Sequence, residues 1–184
     1  TITHNGHVYV AAGGGDFGVT LFKLLPNGQL VHLDSFDGTA AYPLDDITAL
    51  ELAVVGDELQ LFVATEGAAG VTVLGYDIGS MGVDRVGTSG NNALTGANGD
   101  DVIYAGDGTD TLTGQAGADR FVFSHDGKTD RGNGFNPNED TLDLSSILFL
   151  FDVKDLQVTS TSNGATLTFR DETIILTSHN GQPL

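Results

Sequence analysis

Between Gly87 and Val122 glycine and acidic residues recur every nine positions. The first unit is Gly87-Thr88-Ser89-Gly90-Asn91-Asn92-Ala93-Leu94-Thr95, and the second is Gly96-Ala97-Asn98-Gly99-Asp100-Asp101-Val102-Ile103-Tyr104. The third is Ala105-Gly106-Asp107-Gly108-Thr109-Asp110-Thr111-Leu112-Thr113, and the fourth is Gly114-Gln115-Ala116-Gly117-Ala118-Asp119-Arg120-Phe121-Val122. Glycine holds position four in every unit, Asp or Asn holds position six, and Leu94, Ile103, Leu112 and Phe121 hold position eight. In the first six positions glycine permits positive φ, which can turn carbonyl oxygens inward. The position-six side chain adds a carboxylate or amide oxygen. A loose, all-oxygen donor set suits calcium, which takes about six to eight oxygens. The candidate ligands are Thr88, Gly90 and Asn92, then Ala97, Gly99 and Asp101, then Gly106, Gly108 and Asp110, and finally Gln115, Gly117 and Asp119, with Asn98 and Asp107 as weaker members. A flexible Gly/Asp linker would have no reason to keep glycine at position four and a large apolar residue at position eight.

No catalytic constellation accompanies this pattern. The chain has no cysteine, which excludes disulfides, thiol catalysis and cysteine-ligated zinc. His4-Asn5-Gly6-His7 has neither the Glu nor the helix of a zinc hydrolase, and G-x-S-x-G is absent. Asp45, Asp46, Glu51 and Glu58 could pair as in a glycosidase, but turn and surface roles are the expectation. His32, His125 and His179 are isolated and expected to face solvent. Gly13-Gly14-Gly15-Asp16-Phe17-Gly18 fits a dinucleotide fingerprint, yet Val19-Thr20-Leu21-Phe22 follows where a helix is needed. The parallel position, Glu66-Gly67-Ala68-Ala69-Gly70, puts an acid where a phosphate would lie, so both read as hairpin turns. Seven Lys and Arg against 25 Asp and Glu leave a net charge of −18. That excludes nucleic acid as a partner and disfavours an anionic membrane surface. No apolar run is long enough to span a membrane.

The elements that must position the ligands are strands. Positions seven to nine of each unit form a short strand whose middle residue points into a core. Elsewhere short apolar runs lie between Gly, Asn and Asp turns, and no stretch has helical period with caps. Gly18-Val19-Thr20-Leu21-Phe22 is echoed 52 residues later by Gly70-Val71-Thr72-Val73-Leu74, and Val8 to Ala12 by Gln60 to Ala64. With Leu30 to Phe36 and Leu50 to Val55 also strand-like, this repeat has the length of a β-propeller blade, which residues 1–84 resemble. The first copy lacks a counterpart of Leu50 to Val55, so the chain reads as starting inside a blade, with open edges that seek partners. In the tail, Leu156 to Ser160 and Ala165 to Arg170 flank an Asn163-Gly164 turn, and Thr173 to Thr177 follows a turn at Asp171-Glu172.

The nonapeptides, with consensus G-G-x-G-x-D-x-U-x, resemble the RTX, or haemolysin-type, calcium-binding repeat. Arg120-Phe121-Val122-Phe123, Asp130 to Phe135 and Asp140-Thr141-Leu142-Asp143-Leu144-Ser145 resemble the segment that ends such regions in serralysin-like proteins. Gly132 replaces an apolar residue of that pattern and Gly134 an acid, and Asp130, Asp140 and Asp143 are weak ligand candidates or turn-capping surface acids. The resemblance implies a β-roll in which each unit is half a turn, so that turns stack two repeats apart. Asp101 and Asp119 would share one calcium, and Asn92 and Asp110 another more weakly, giving about two ions, or three with one at the roll's end. It also implies a secreted, extracellular bacterial protein delivered by a type I secretion apparatus. The expected fold is all-β: antiparallel blade-like sheets over 1–84, a parallel β-roll over 85–125 and a C-terminal β cap with the secretion region over 126–184. The expected role is a calcium-binding structural module that folds after export. The alternatives are a fragment of a propeller hydrolase or lactonase, or a self-assembling adhesin, surface-layer or filament subunit.

Overall fold

The computed structural model describes every residue except 14–17, 40–43 and 67–69. The chain divides into two compact units, Thr1–Gly79 and Ser80–Leu184. The dinucleotide-like Gly13–Gly18 turn and its counterpart at Gly67-Ala68-Ala69 fall largely outside the described residues.

In the first unit β1 (Ile2–His4), β2 (His7–Gly13), β3 (Gly18–Leu24) and β4 (Leu30–Asp37) form an antiparallel meander in chain order. A second meander comprises β5 (Ile47–Val55), β6 (Glu58–Thr65) and β7 (Thr72–Asp77). The period-two pattern works as expected. Val19 and Leu21 on β3 and Leu59, Leu61 and Val63 on β6 are at most 1% exposed, while their neighbours are half-buried or exposed. One expectation is corrected: the first copy does have a leading strand, β1, paired with β2 in the register His4↔His7. Three residues are too few to show alternation. The signal was the turn, since Asn5 (φ 48°) and Gly6 (φ 83°) have the two positive φ values of a tight hairpin. A strand 52 residues on from β4 would begin near 82, but there the chain enters the second unit.

That unit is a parallel solenoid. β8 (Met81–Val86), β10 (Asp100–Tyr104), β12 (Arg120–Ser124) and β14 (Thr141–Ser146) make one sheet. β9 (Ala93–Thr95), β11 (Thr111–Thr113), β13 (Thr129–Phe135) and β17 (Glu172–Ser178) run parallel in the other, which continues antiparallel through β16 (Gly164–Phe169) and β15 (Gln157–Thr161). Successive strands enter opposite sheets, so turns stack at a spacing of two units. Ile103 lies opposite Phe121, and Leu112 opposite Leu94. Ile103, Leu112 and Phe121 are fully buried, and Leu94 packs against the same core. Gly132 takes the next core position after Leu112. A Cβ there would lie 2.8 Å from Leu176 Cδ2, so a side chain from β17 fills the space that an apolar residue would otherwise occupy.

The roll is longer than its motif. Residues 80–86 form a partial turn that none of the nonapeptides covers, with Arg85 opposite Ile103 and exposed at the edge of the sheet. Both tail turns sit one residue earlier than expected. Thr161 pairs with Gly164 across Ser162-Asn163, and Phe169 pairs with Glu172 across Arg170-Asp171. Gly164 pairs with Thr177 as the first residue of β16, where a Cβ would lie 1.9 Å from the Leu176 carbonyl oxygen, so glycine is required for this close approach. Glu172 thereby moves from a turn into the first position of β17.

Candidate metal centre

Each turn of the roll delivers its position-six residue to the same place. The backbone N–H of Val83 donates to Asp101 Oδ1 (2.5 Å), that of Asp101 to Asp119 Oδ1 (3.0 Å), and that of Asp119 to Asp140 Oδ1 (2.9 Å). On the other flank Asn92 N–H donates to Asp110 Oδ1 (2.7 Å) and Asp110 N–H to Asp130 Oδ1 (2.8 Å). Two ladders of carboxylates therefore run along the roll. Stacking also constrains the backbone. Gly99, Gly108 and Gly117, all at position four, have φ between 120° and 125°, where residues with a Cβ are strained, whereas Gly90 in the first turn has no positive φ.

The structure thus places the sequence candidates in four turns: Thr88, Gly90 and Asn92 before β9, Ala97, Gly99 and Asp101 before β10, Gly106, Gly108 and Asp110 before β11, and Gln115, Gly117 and Asp119 before β12. The Thr88 carbonyl accepts from Asp107 N–H, and Gln115 (φ 87°) donates its side-chain amide to the Gly96 carbonyl at 2.6 Å. Asn98 and Asp107 are exposed on the rims of their turns. Asp130 and Asp140 each extend a ladder by one rung. Asp143 does not: it lies within β14 opposite Val122, 3.8 Å from the Arg120 guanidinium, and accepts from Ser145 N–H. The reading of these acids as surface groups is corrected for Asp130 and Asp143, which are 1% and 8% exposed. His125 is corrected too, since its Nε2 lies 3.2 Å from Asp171 and its Nδ1 is buried.

Burial dominates the electrostatics. It pushes Asp130 up to about 7, with the charges of Asp110, Glu172 and Asp126 adding to it and the Asp110 N–H opposing. It pushes Asp119 up to about 6, against the hydrogen bond from Asp101 and with Asp140 among the repelling charges. Asp110 and Asp140 are raised by the same desolvation. Asp101, Asp110 and Asp119 are each at most 2% exposed, and Asp110 Oδ2 is buried without a hydrogen-bond partner. Buried charge of this kind calls for a proton or a cation. Among the described residues no three His, Asp or Glu side chains converge closely enough to hold an ion alone. The donors fit calcium nonetheless, because two carboxylates from stacked turns can be completed by carbonyls and water. When bound, calcium would supply the positive charge that the ladders lack.

In the first unit Glu51 lies opposite Phe62, and Glu58 opposite Val55, so the two acids are not cross-strand neighbours. Glu51, Glu58 and Asp46 are exposed and Asp45 is half-buried. His4 and His7 face each other across the first hairpin. No helix among the described residues is long and apolar enough to cross a membrane.

Residues 86–121 match the RTX calcium-binding nonapeptide repeat, in four copies, and form an RTX calcium-binding module. No curated protein matches the chain. Among solved structures, the extracellular lipase LipA from Serratia marcescens is similar at 18% identity and a TM-score of 0.39. The alignment covers 96% of this chain and 30% of the lipase, so the chain spans less than a third of that protein's length. A likeness of this degree carries no argument about activity.

Proposed function

We propose that the chain is a calcium-folded structural module of a secreted protein, passed unfolded through a type I exporter and folded outside. The observation that carries this is the pair of buried carboxylate ladders, at most 2% exposed at Asp101, Asp110 and Asp119. One ion would sit between the turns of Asp101 and Asp119, and another between those of Asn92 and Asp110. The second would be weaker, because an amide replaces one carboxylate. Asp130 and Asp140 would extend the two series. Without calcium the ladders repel themselves and the motif offers little core, which favours disorder. Extracellular sites of this kind bind at roughly 10⁻⁴ to 10⁻³ M, so the fold would be weak in cytosol and strong outside. A calcium titration followed by circular dichroism tests this. Strand signal should develop over the millimolar range, and an ion-free chain already folded and unchanged by calcium would refute it.

A second reading concerns the first unit. The meanders β1–β4 and β5–β7 have the strand order of propeller blades, and their 52-residue offset favours a longer series. In that case the whole protein would be a secreted hydrolase or lactonase with its catalytic groups elsewhere, or an assembly completed by another subunit's strands. Sizing with and without calcium separates a monomer from the assembly.

A further inference from the structure

The second ladder does not end with the repeats. β17 lies on β13 in the register Thr129↔Thr173, which sets Glu172, its first residue, over the turn that precedes β13. Glu172 is 1% exposed. Its Oε2 accepts from the N–H groups of Asp126 and Gly127, both at 3.1 Å, while its Oε1 is buried with no hydrogen-bond partner. One level below, Asp130 is equally buried, with Oδ1 held by Asp110 N–H. A level below that, Asp110 Oδ2 is likewise a buried carboxylate oxygen without a hydrogen-bond partner. Asp126 links the levels, accepting from Lys128 N–H with Oδ1 (2.9 Å) and from Gly108 N–H with Oδ2.

We propose that this last turn binds a divalent cation of calcium's class, with Glu172 as a ligand from outside the repeats, so that the ion fastens the C-terminal hairpin β16–β17 to the roll. The proposal rests on the reading of the turns as calcium sites and adds a ligand that the repeat pattern does not contain. The two orphaned oxygens, from Glu172 and Asp110, flank the level of Asp130, and an unpaired buried carboxylate oxygen is too unfavourable to persist without a proton or cation. Asp130 feels the charges of Asp110, Glu172 and Asp126 together, so all four acids share one neighbourhood. His125 is the basic group that acts on Glu172, but its Nε2 is engaged by Asp171. As they stand the carboxylates do not close on one point. An ion would take two or three of them and complete its shell with turn carbonyls and water. All donors are oxygen, which favours calcium over softer metals. The ion would bridge residues 46 apart in sequence, closing a loop in the manner of a staple.

The test uses the full chain, with calcium stoichiometry by equilibrium dialysis and amide exchange at β16–β17 in saturating calcium. Glu172→Gln should bind one ion fewer than the wild type and exchange about tenfold faster or more over residues 164–178, with β10 and β12 unchanged. Glu172→Asp guards against a folding defect, since the shorter carboxylate should keep the ion at weaker affinity. If the wild type binds no calcium, the reading of the turns falls and this proposal with it. If the wild type binds calcium but Glu172→Gln keeps the same stoichiometry and tail protection, this proposal alone is overturned, and Glu172 is a protonated cap. Should Glu172→Gln fail to fold, unchanged affinity for every ion in Glu172→Asp overturns it, and a single weakened site supports it.

Discussion

The two units solve the same problem in opposite ways. In Thr1–Gly79 the strands are antiparallel neighbours in sequence, and alternation alone puts Val19, Leu21, Leu59, Leu61 and Val63 inside. Along the roll of Ser80–Leu184, before the C-terminal hairpins, the strands are parallel, partners lie 18 or more residues apart, and the turns that join them bury charge. Every buried carboxylate among the described residues is in this second unit: Asp101, Asp110, Asp119, Asp130, Asp143 and Glu172. Of these only Asp143 has an Arg beside it. The difference teaches that one unit closes on apolar area alone, whereas the other must also offset the charge that its turns bury.

The largest expected effect separates the units outright. With calcium chelated, amide exchange measured on the full chain should accelerate across β8–β14 and leave β2, β3 and β6 protected. Each ion at about thirtyfold excess over its Kd contributes about 2 kcal/mol, so losing several removes much of a typical domain's stability. Equal loss of protection in both units would break the comparison.

The converse substitution sharpens it. Leu61→Ala, at a position fully buried in β6, should cost about 3 kcal/mol in the first unit. That cost should be the same with and without calcium, as read by denaturant unfolding at both conditions. In the roll, Asp119→Ala removes the middle carboxylate of the ladder that runs from Asp101 to Asp140. The calcium midpoint for folding should rise roughly tenfold, because fewer charged ligands weaken such sites. An unchanged midpoint would mean that the ladder is not where ions bind.

Acidity should act on the roll with a sign that depends on calcium. Burial holds Asp130 up to about 7 and Asp119 up to about 6, above their values in an unfolded chain. Between about pH 4 and pH 7 the folded, ion-free roll therefore carries more protons than the unfolded chain, so its stability rises as pH falls through that window. With calcium present protons compete for the same oxygens, and stability should fall instead. The folded fraction of the roll, read by amide exchange at pH 5.5 and 7.5 with intrinsic rates corrected for pH, should be greater at the lower pH with chelator and greater at the higher pH in millimolar calcium. The smallest effect is expected from Asn92→Asp, which places a carboxylate where an amide now lies half-buried beside Asp110. It should lower the calcium midpoint a few-fold. No change would mean that the first turn, whose Gly90 lacks the positive φ of its counterparts, stands outside the binding series.

The core of the roll was legible because its rule is local and periodic. A nine-residue period with glycine at position four and an apolar residue at position eight specifies a turn, a short strand and an inward side chain, whatever the rest of the chain does. Stacking two units apart then follows from strands that enter alternate sheets, and Asp101 meets Asp119 as Asn92 meets Asp110. The partial turn at 80–86 was invisible for the opposite reason. Met81 and Val83 stand where glycine and Asp would be, yet the place needs only a backbone N–H from Val83 for Asp101, which any residue but proline supplies. Asp143 looks like a ligand in sequence and is an ion-pair partner of Arg120 in the structure, because β14 sets it inside the strand and not at the turn.

By itself, then, the sequence determined the all-β class, the four calcium-type turns and the apolar row that supports them, since each depends on residues no more than nine apart. Only the tertiary structure decided where the roll begins, which acids are buried and that Glu172 closes the second ladder. The start of the roll depends on β8 pairing with β10, and the place of Glu172 on β17 crossing back onto β13 from some 40 residues away; no spacing within a repeat encodes either contact.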